Sequence, residues 1–327
     1  ARGQTRTLSG VTVLNRLTVR IRLTAPDATF LEKLAFPVAA IVSRHGAGTM
    51  GPFALIDQAK NGALILGPRH HYYGGQLQID TVELVPVQSA SAGLEMYRKG
   101  GLDMAWVPPD RTSSFAQHSD LRESNSLDAY YAVAAMPNAD RLAASLDRDT
   151  LVKDEGPALI ALASIVPPSI PDYVSSPPSL NVTAEQSGRS TSALDIRVAQ
   201  PADKLAQDLR RGLVQQWRNT GGSGTVWIVH QIHMLPDPGR WLSMVSAMAP
   251  TWYSAALTQA NGLTNDPVSR MNDYSTEEQW ALRKGLVIPL AAGMTAYLIK
   301  PTVQSVDVTP AGLMPHNDNW SAVSITE

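Results

Sequence analysis

Leu17, Val19, Ile21 and Leu23 alternate with Thr18, Arg20, Arg22 and Thr24. A repeat of two puts the apolar set on one side of an extended chain, so 11–24 is predicted to be a half-buried strand, with Asn15 interrupting the apolar set. Pro26-Asp27 breaks it. Phe30, Leu31, Leu34 and Ala35 then fall at helical spacing, which predicts a helix over 28–35 that Pro37 ends. Strands are expected at 54–56, 63–66, 80–87, 102–106 and 127–135, and a short helix at 90–98 closed by Gly100-Gly101. Residues 140–153 read as one helix with Leu142, Leu146 and Leu151 on its apolar side. The clearest helix is 202–218, where Leu205, Leu209, Leu213 and Trp217 recur at steps of four. Strands at 193–198, 225–232, 285–290 and 296–299 and helices at 239–248 and 277–284 complete the pattern. Strands alternating with helices predict an α/β chain with mixed sheets.

Length turns this pattern into an organisation. At 327 residues the chain corresponds to roughly two domains or one bilobal unit. Lys plus Arg number 27 and Asp plus Glu 29, a net charge of −2 with no dense basic stretch, which argues against a phosphate-tracking nucleic-acid surface. With 44% hydrophobic and 17% charged residues it is no disordered polyelectrolyte. No apolar run reaches the roughly 18 residues needed to cross a bilayer. The sequence has no cysteine, which excludes disulfides, thiolate metal sites and thiol nucleophiles within it. Its first residues lack the apolar core of a signal peptide.

Candidate chemistry is sparse. His230 and His233 are three apart on a predicted strand and point to opposite faces, so no metal site is expected from them. Gly46 to Gly51 fits Gly-x-Gly-x-x-Gly but lacks the Gly-Lys-Ser/Thr ending of a phosphate loop, and Pro52 has no N–H to donate. No nucleophile elbow or paired acid and base appears, so neither an enzyme nor a cofactor is expected. Trp106, Trp241 and Trp252-Tyr253 are placed in loops at strand ends, where an indole can stack on a ligand or cap a core.

Taken in order, several segments resemble the extracytoplasmic solute-binding proteins of family 5, which serve peptide and nickel ABC importers. Ala25 to Ala35 is similar to their P-x-x-x-F-L-x-x-L-A helix, and Thr49 to Phe53 to their G-T-G-P-F/Y turn. His71 to Val82 resembles Y-W-G-G-x-P-x-L-D-x-V, Gly100 to Met104 resembles G-E-I-D, and Arg141 to Arg148 resembles R-x-A-L-x-x-A-I-D-R. Val166-Pro167-Pro168, Leu235 to Leu242 and Val287 to Leu290 resemble V-P-P, Y-P-D-P-x-x-F-L and x-I-P-L/V. The collinear order carries the resemblance across nearly the whole chain.

The resemblance implies a bilobal, type II periplasmic-binding-protein-like α/β fold. One lobe is expected at 1–135 plus 291–327 and the other at 136–290, with the first part of the first lobe and a small extra domain lacking. It implies a monomeric, extracytoplasmic binding protein, periplasmic or lipid-anchored. Such a protein captures a peptide-like or other small polar solute by hinge closure and hands it to a membrane permease. By the same resemblance, His230, Gln231, His233 and Met234 line the cleft from the second lobe with Trp241 nearby, and Trp106 and Tyr130 approach from the other side. Met234 stands where peptide-binding members carry an Asp that pairs with the peptide's ammonium, and a thioether cannot make that charge-assisted bond. These neutral and aromatic groups favour an uncharged or weakly polar ligand, such as a blocked peptide or a glycoside. The alternatives are a degenerate scaffold or regulatory lipoprotein without a transported ligand, and a cytoplasmic regulator whose sensor domain has this fold.

Overall fold

The computed structural model describes residues 9–36, 39–41, 50–134, 136, 139–153, 159–170, 173, 194–219, 224–233, 235–310 and 312–326. Most of the Gly46 to Gly51 loop, Pro177-Pro178, Gly221 and Met234 therefore lie outside the described residues.

The first alternating segment is a hairpin of β1 (Val11–Asn15) and β2 (Thr18–Ile21), not one strand. Asn15 is the reason: its Oδ1 accepts the Leu17 N–H at 2.9 Å and folds the chain back, as Asn does in turns. Nor is the ribbon half-buried, since every residue in both strands is exposed. After the Pro26 break comes α1 (Phe30–Leu34), then β3 (Phe53–Gln58), β4 (Leu64–Pro68) and β5 (Val82–Leu84), which form a three-stranded sheet. Ser89 caps α2 (Ala90–Arg98) by accepting the Ala92 N–H, and Gly100 at φ 82° turns the chain into β6 (Met104–Val107).

The long strand β7 (Leu121–Ala134) leads to two short helices where one was predicted, α3 (Ala139–Ala144) and α4 (Arg148–Val152). Asp147 divides them. Its carboxylate accepts the Thr150 N–H at 3.0 Å, so it starts a new helix instead of continuing the old one. After β8 (Leu159–Ala161) and β9 (Leu194–Val198) comes α5 (Lys204–Gln216), which buries Leu205, Leu209 and Leu213 as its periodicity requires. Then follow β10 (Gly224–Ile232), α6 (Pro238–Leu242), α7 (Thr251–Gly262) and α8 (Pro267–Lys284). The predicted loop at Trp252-Tyr253 is in fact the start of α7, and α8 begins ten residues before the predicted helix. Asp266 caps α8, with Pro267 in its first turn. Its inner face carries the buried acids Glu277 and Glu278 beside Tyr274 and Ala281, which hid it from an apolar count. Glu278 accepts the Val166 N–H at 2.8 Å and the Tyr173 hydroxyl at 2.6 Å.

The two strands predicted late in the chain are one, β11 (Val287–Ile299). Short strands β12 (Val303–Gln304), β13 (Val306–Thr309), β14 (Gly312–Pro315) and β15 (Ser324–Ile325) follow. In the central six-stranded sheet the order is β6-β11-β7-β10-β9, with β8 on β11. β7 runs antiparallel to β11 from Val133↔Val287 to Leu121↔Leu298, while β9 lies parallel to β10. One end of the β7–β11 pair is buried on both sides. Tyr130, Ala132 and Ile288 pack against α3, α4 and α5, and Leu127, Tyr131 and Val287 against α6, α7 and α8. At the other end Ala296 and Leu298 join Ala105, Val107 and α2 in a separate cluster. Phe53 meets Trp320 edge-on at 6.0 Å, tying the β3 sheet to the last segment.

Candidate functional site

β10 lies beside β7 with His230 opposite Tyr130, and the two rings stack at 4.2 Å and 11°. His230 Nδ1 lies 2.8 Å from Asp203 Oδ2, and its Nε2 lies 3.1 Å from Asp128 Oδ2. The Tyr130 hydroxyl donates to Asp203 at 3.2 Å. Asp203 also caps α5 by accepting the Ala206 N–H at 2.7 Å, which fixes it over the end of β10. Burial opposes charge on His230, but the bonds to Asp128 and Asp203 outweigh it and raise the imidazole pKa to about 9. The ring is therefore a cation held between two carboxylates at neutral pH. The sequence reading missed both acids. Each left a signal: Asp128 is the one charge in the mostly apolar stretch 127–135, and Asp203 precedes the clearest helix.

The predicted site residues do not form one group. His233 lies across the sheet from His230, as their spacing requires, with its N–H donating to Leu127 O at 3.0 Å. Its ring meets Trp241 edge-on at 4.4 Å. Burial, then the Arg240 charge, lowers the His233 pKa and keeps it neutral. Trp241 is fully buried against Tyr131 in the core under α7 and α8. Gln231 stands opposite Ala129. Trp106 is half-exposed on β6 opposite Tyr297, six positions along β11 from the partner of Tyr130, and so about 20 Å away.

The side of α6 turned away from that core does form a site. A cavity of about 400 Å³ lies between 23–33 and the starts of α6 and the end of α7; Asp27, Lys33, Asp237, Arg240, Ser243 and Asn261 supply its polar wall. Asn261 O accepts the Ala28 N–H at 3.0 Å and holds the two walls together. Lys33 Nζ pairs with Asp27 Oδ2 at 2.5 Å, and the Thr29 hydroxyl donates to Asp27 Oδ1 at 3.0 Å. Burial works against the Asp27 charge, but these bonds prevail and hold its carboxyl below the usual range. Asp237, the middle residue of Pro236-Asp237-Pro238, accepts the Gly239 N–H at 3.1 Å and starts α6. It is 6% exposed, and burial pushes its pKa up. A second hollow of about 580 Å³ shares 23–27 and adds the apolar Phe30 and Leu31. The wall is thus charged beside an apolar hollow, where the sequence pointed to neutral and aromatic groups. Among the described residues no cluster of His, Cys, Asp and Glu could hold a metal ion, and no helix is long and apolar enough to cross a membrane.

A mixed sheet crossed end to end by two long antiparallel strands, with separate cores at its two ends, is the architecture of a periplasmic-binding-protein-like fold. Residues 2–189 match the family model for bacterial extracellular solute-binding proteins, family 5 Middle, and the chain belongs to that family. No curated protein matches by sequence. Solved structures match with the same fold. HbpA2 from Haemophilus parasuis superposes with a TM-score of 0.83 at 16% identity, over 97% of this chain and 75% of that one. The ABC transporter substrate-binding protein CtaP from Listeria monocytogenes gives 0.75 at 13% identity, over 97% and 78%. The periplasmic binding protein DppA from Helicobacter pylori, in complex with the peptide STSA, gives 0.66 at 16% identity, over 98% and 74%. The chain thus spans about three quarters of the length of these structures. The family's members are extracytoplasmic binding proteins of ABC importers, mostly for peptides, and not enzymes.

Proposed function

We propose that this chain captures a small peptide-like solute between two lobes, 1–135 plus 291–327 and 136–290, and delivers it to the membrane permease of an ABC importer. The observation that carries this reading is the position of the 400 Å³ cavity. One wall, 23–33, belongs to the first lobe of that division, and the other, on α6 and α7, belongs to the second. Concave sites between domains are the usual place for a ligand, and closure about a hinge would shut this one. β7 and β11 are the two strands that run from one core cluster to the other, so they are the connections about which the lobes would turn. Lining groups of both signs suit a solute with both donors and acceptors, and the apolar hollow next to them suits its side chains.

The test is a thermal-shift panel of short peptides, glycosides and metal chelates on the purified chain. A ligand present at 100 times its dissociation constant stabilises the fold by about 2.7 kcal/mol. A reproducible rise in Tm with short peptides is the expected result. No rise with any class would overturn the reading in favour of a scaffold without a transported ligand.

A further inference from the structure

We infer that the solute carries a carboxylate and that Arg240 reads it. The inference rests on the solute-binding reading above and adds the charge of the ligand. Four charged groups face the cavity, and two of them are already engaged with each other: Lys33 with Asp27. Arg240 is exposed on α6, and its guanidinium has neither an ion pair nor a hydrogen bond among the described residues. Asp237, one turn before it on the same wall, is occupied by the Gly239 N–H and buried. Behind that wall, Arg270 comes from the first turn of α8, and its buried Nε has no partner among the described residues. The charge of Arg270 acts on Asp237, as that of Arg240 also does, and on Glu32 of α1 and Tyr274, so it adds positive potential to the same corner, and Arg270 has no ion pair among the described residues.

A guanidinium offers a planar fork of donors that matches a carboxylate in two parallel bonds. The neighbouring hydroxyl of Ser243 and the apolar hollow beside 23–27 leave room for the rest of a short peptide. The structure therefore assigns recognition to the acid end of the solute. This differs from the ammonium recognition that Met234 argues against.

Two pools of short peptides test it, identical in sequence and lacking acidic side chains, one with free C-terminal carboxylates and one with C-terminal amides. Binding of each is measured by calorimetry to the wild-type chain, to Arg240→Gln, and to Arg98→Gln, whose Arg98 is paired with Glu95 on the distant α2. The expected result is that the wild type prefers the free acids by about tenfold or more, roughly the worth of one charge-assisted contact. Arg240→Gln should lose that preference while keeping the amide affinity, and Arg98→Gln should retain it. Equal affinity of the wild type for the two pools would overturn the inference and leave the solute-binding reading intact. A preference that survives in Arg240→Gln would overturn the assignment to Arg240. Binding of neither pool would overturn both.

Discussion

Asp203 shows how much one side chain can carry. It caps α5 and, through the same carboxylate, meets His230 and Tyr130. Because the folded His230 has a pKa of about 9 against an ordinary value of 6.5, folding is favoured by its charged form. The contribution is fully present below about pH 6.5 and is lost as the pH rises through 9. The ring is one-fifth exposed, so after screening it is worth about 2 kcal/mol. Urea unfolding of the wild type should therefore show stability falling between pH 6.5 and 9.5, and His230→Gln should flatten that slope. An unchanged slope would mean the cluster does not hold the proton. The two acids were not grouped with His230 from sequence because Asp128, Asp203 and His230 lie on three separate elements, and only sheet register and a helix cap bring them together. The sequence places His230 and Tyr130 on opposite sides of a cleft, with Trp106 beside Tyr130; strand register instead stacks Tyr130 on His230 and puts Trp106 far along the sheet.

Elements were legible where a single physical signal defined them. Over 202–218 four apolar residues at steps of four sufficed for α5, and Gly100-Gly101 marked the end of α2. The signal failed where polar residues took core positions. Glu277 and Glu278 lie buried on α8, and α7 presents only Tyr253, Leu257 and Ala260 to the core. It also failed where a cap residue fell inside a regular pattern, as Asp147 did between α3 and α4. The end of α8 is the most constrained of these junctions. Gly285 sits at φ 63°, and a Cβ there would overlap the Asp140 N–H and the Ala139 carbonyl group. Gly285→Ala should therefore cost about 2 kcal/mol or more, since the left-handed conformation alone costs an alanine about 1 kcal/mol and the overlap adds to it. Denaturant midpoints would measure this, and a change within about 0.5 kcal/mol would show that the junction can relax.

At the scale of the molecule, β7 and β11 join regions with separate cores, and their pairing is interrupted between Pro289 and Ala291 and again between Ala292 and Met294. Bulges bend strands and loosen a ladder locally, so a turn of one lobe against the other would concentrate there. Gly293 lies at the second interruption, directly under the Asp128 carboxylate, where a Cβ would strike Asp128 Oδ1. If the lobes close on a solute, small-angle scattering should show the radius of gyration falling on ligand addition. It should move toward the roughly 20 Å of a compact chain of this length. Unchanged scattering at saturating ligand would rule out closure.

By itself the sequence determined the α/β class, the chain order of most elements and the family, because these depend on local periodicity, turn chemistry and motifs read in line. The absence of cysteine and of dense basic stretches likewise narrowed the chemistry from composition alone. Tertiary structure decided which side chains meet. It turned Trp241 into the core and left its neighbour Arg240 on the cavity wall, a difference set by which side of α6 faces α7 and α8. It brought Asp27 and Lys33 across to the Pro236-Asp237-Pro238 turn, about 200 residues away along the chain, and so made a charged site where the local sequence pointed to a neutral one. Such contacts follow from packing and register between distant elements, which periodicity within each element does not encode.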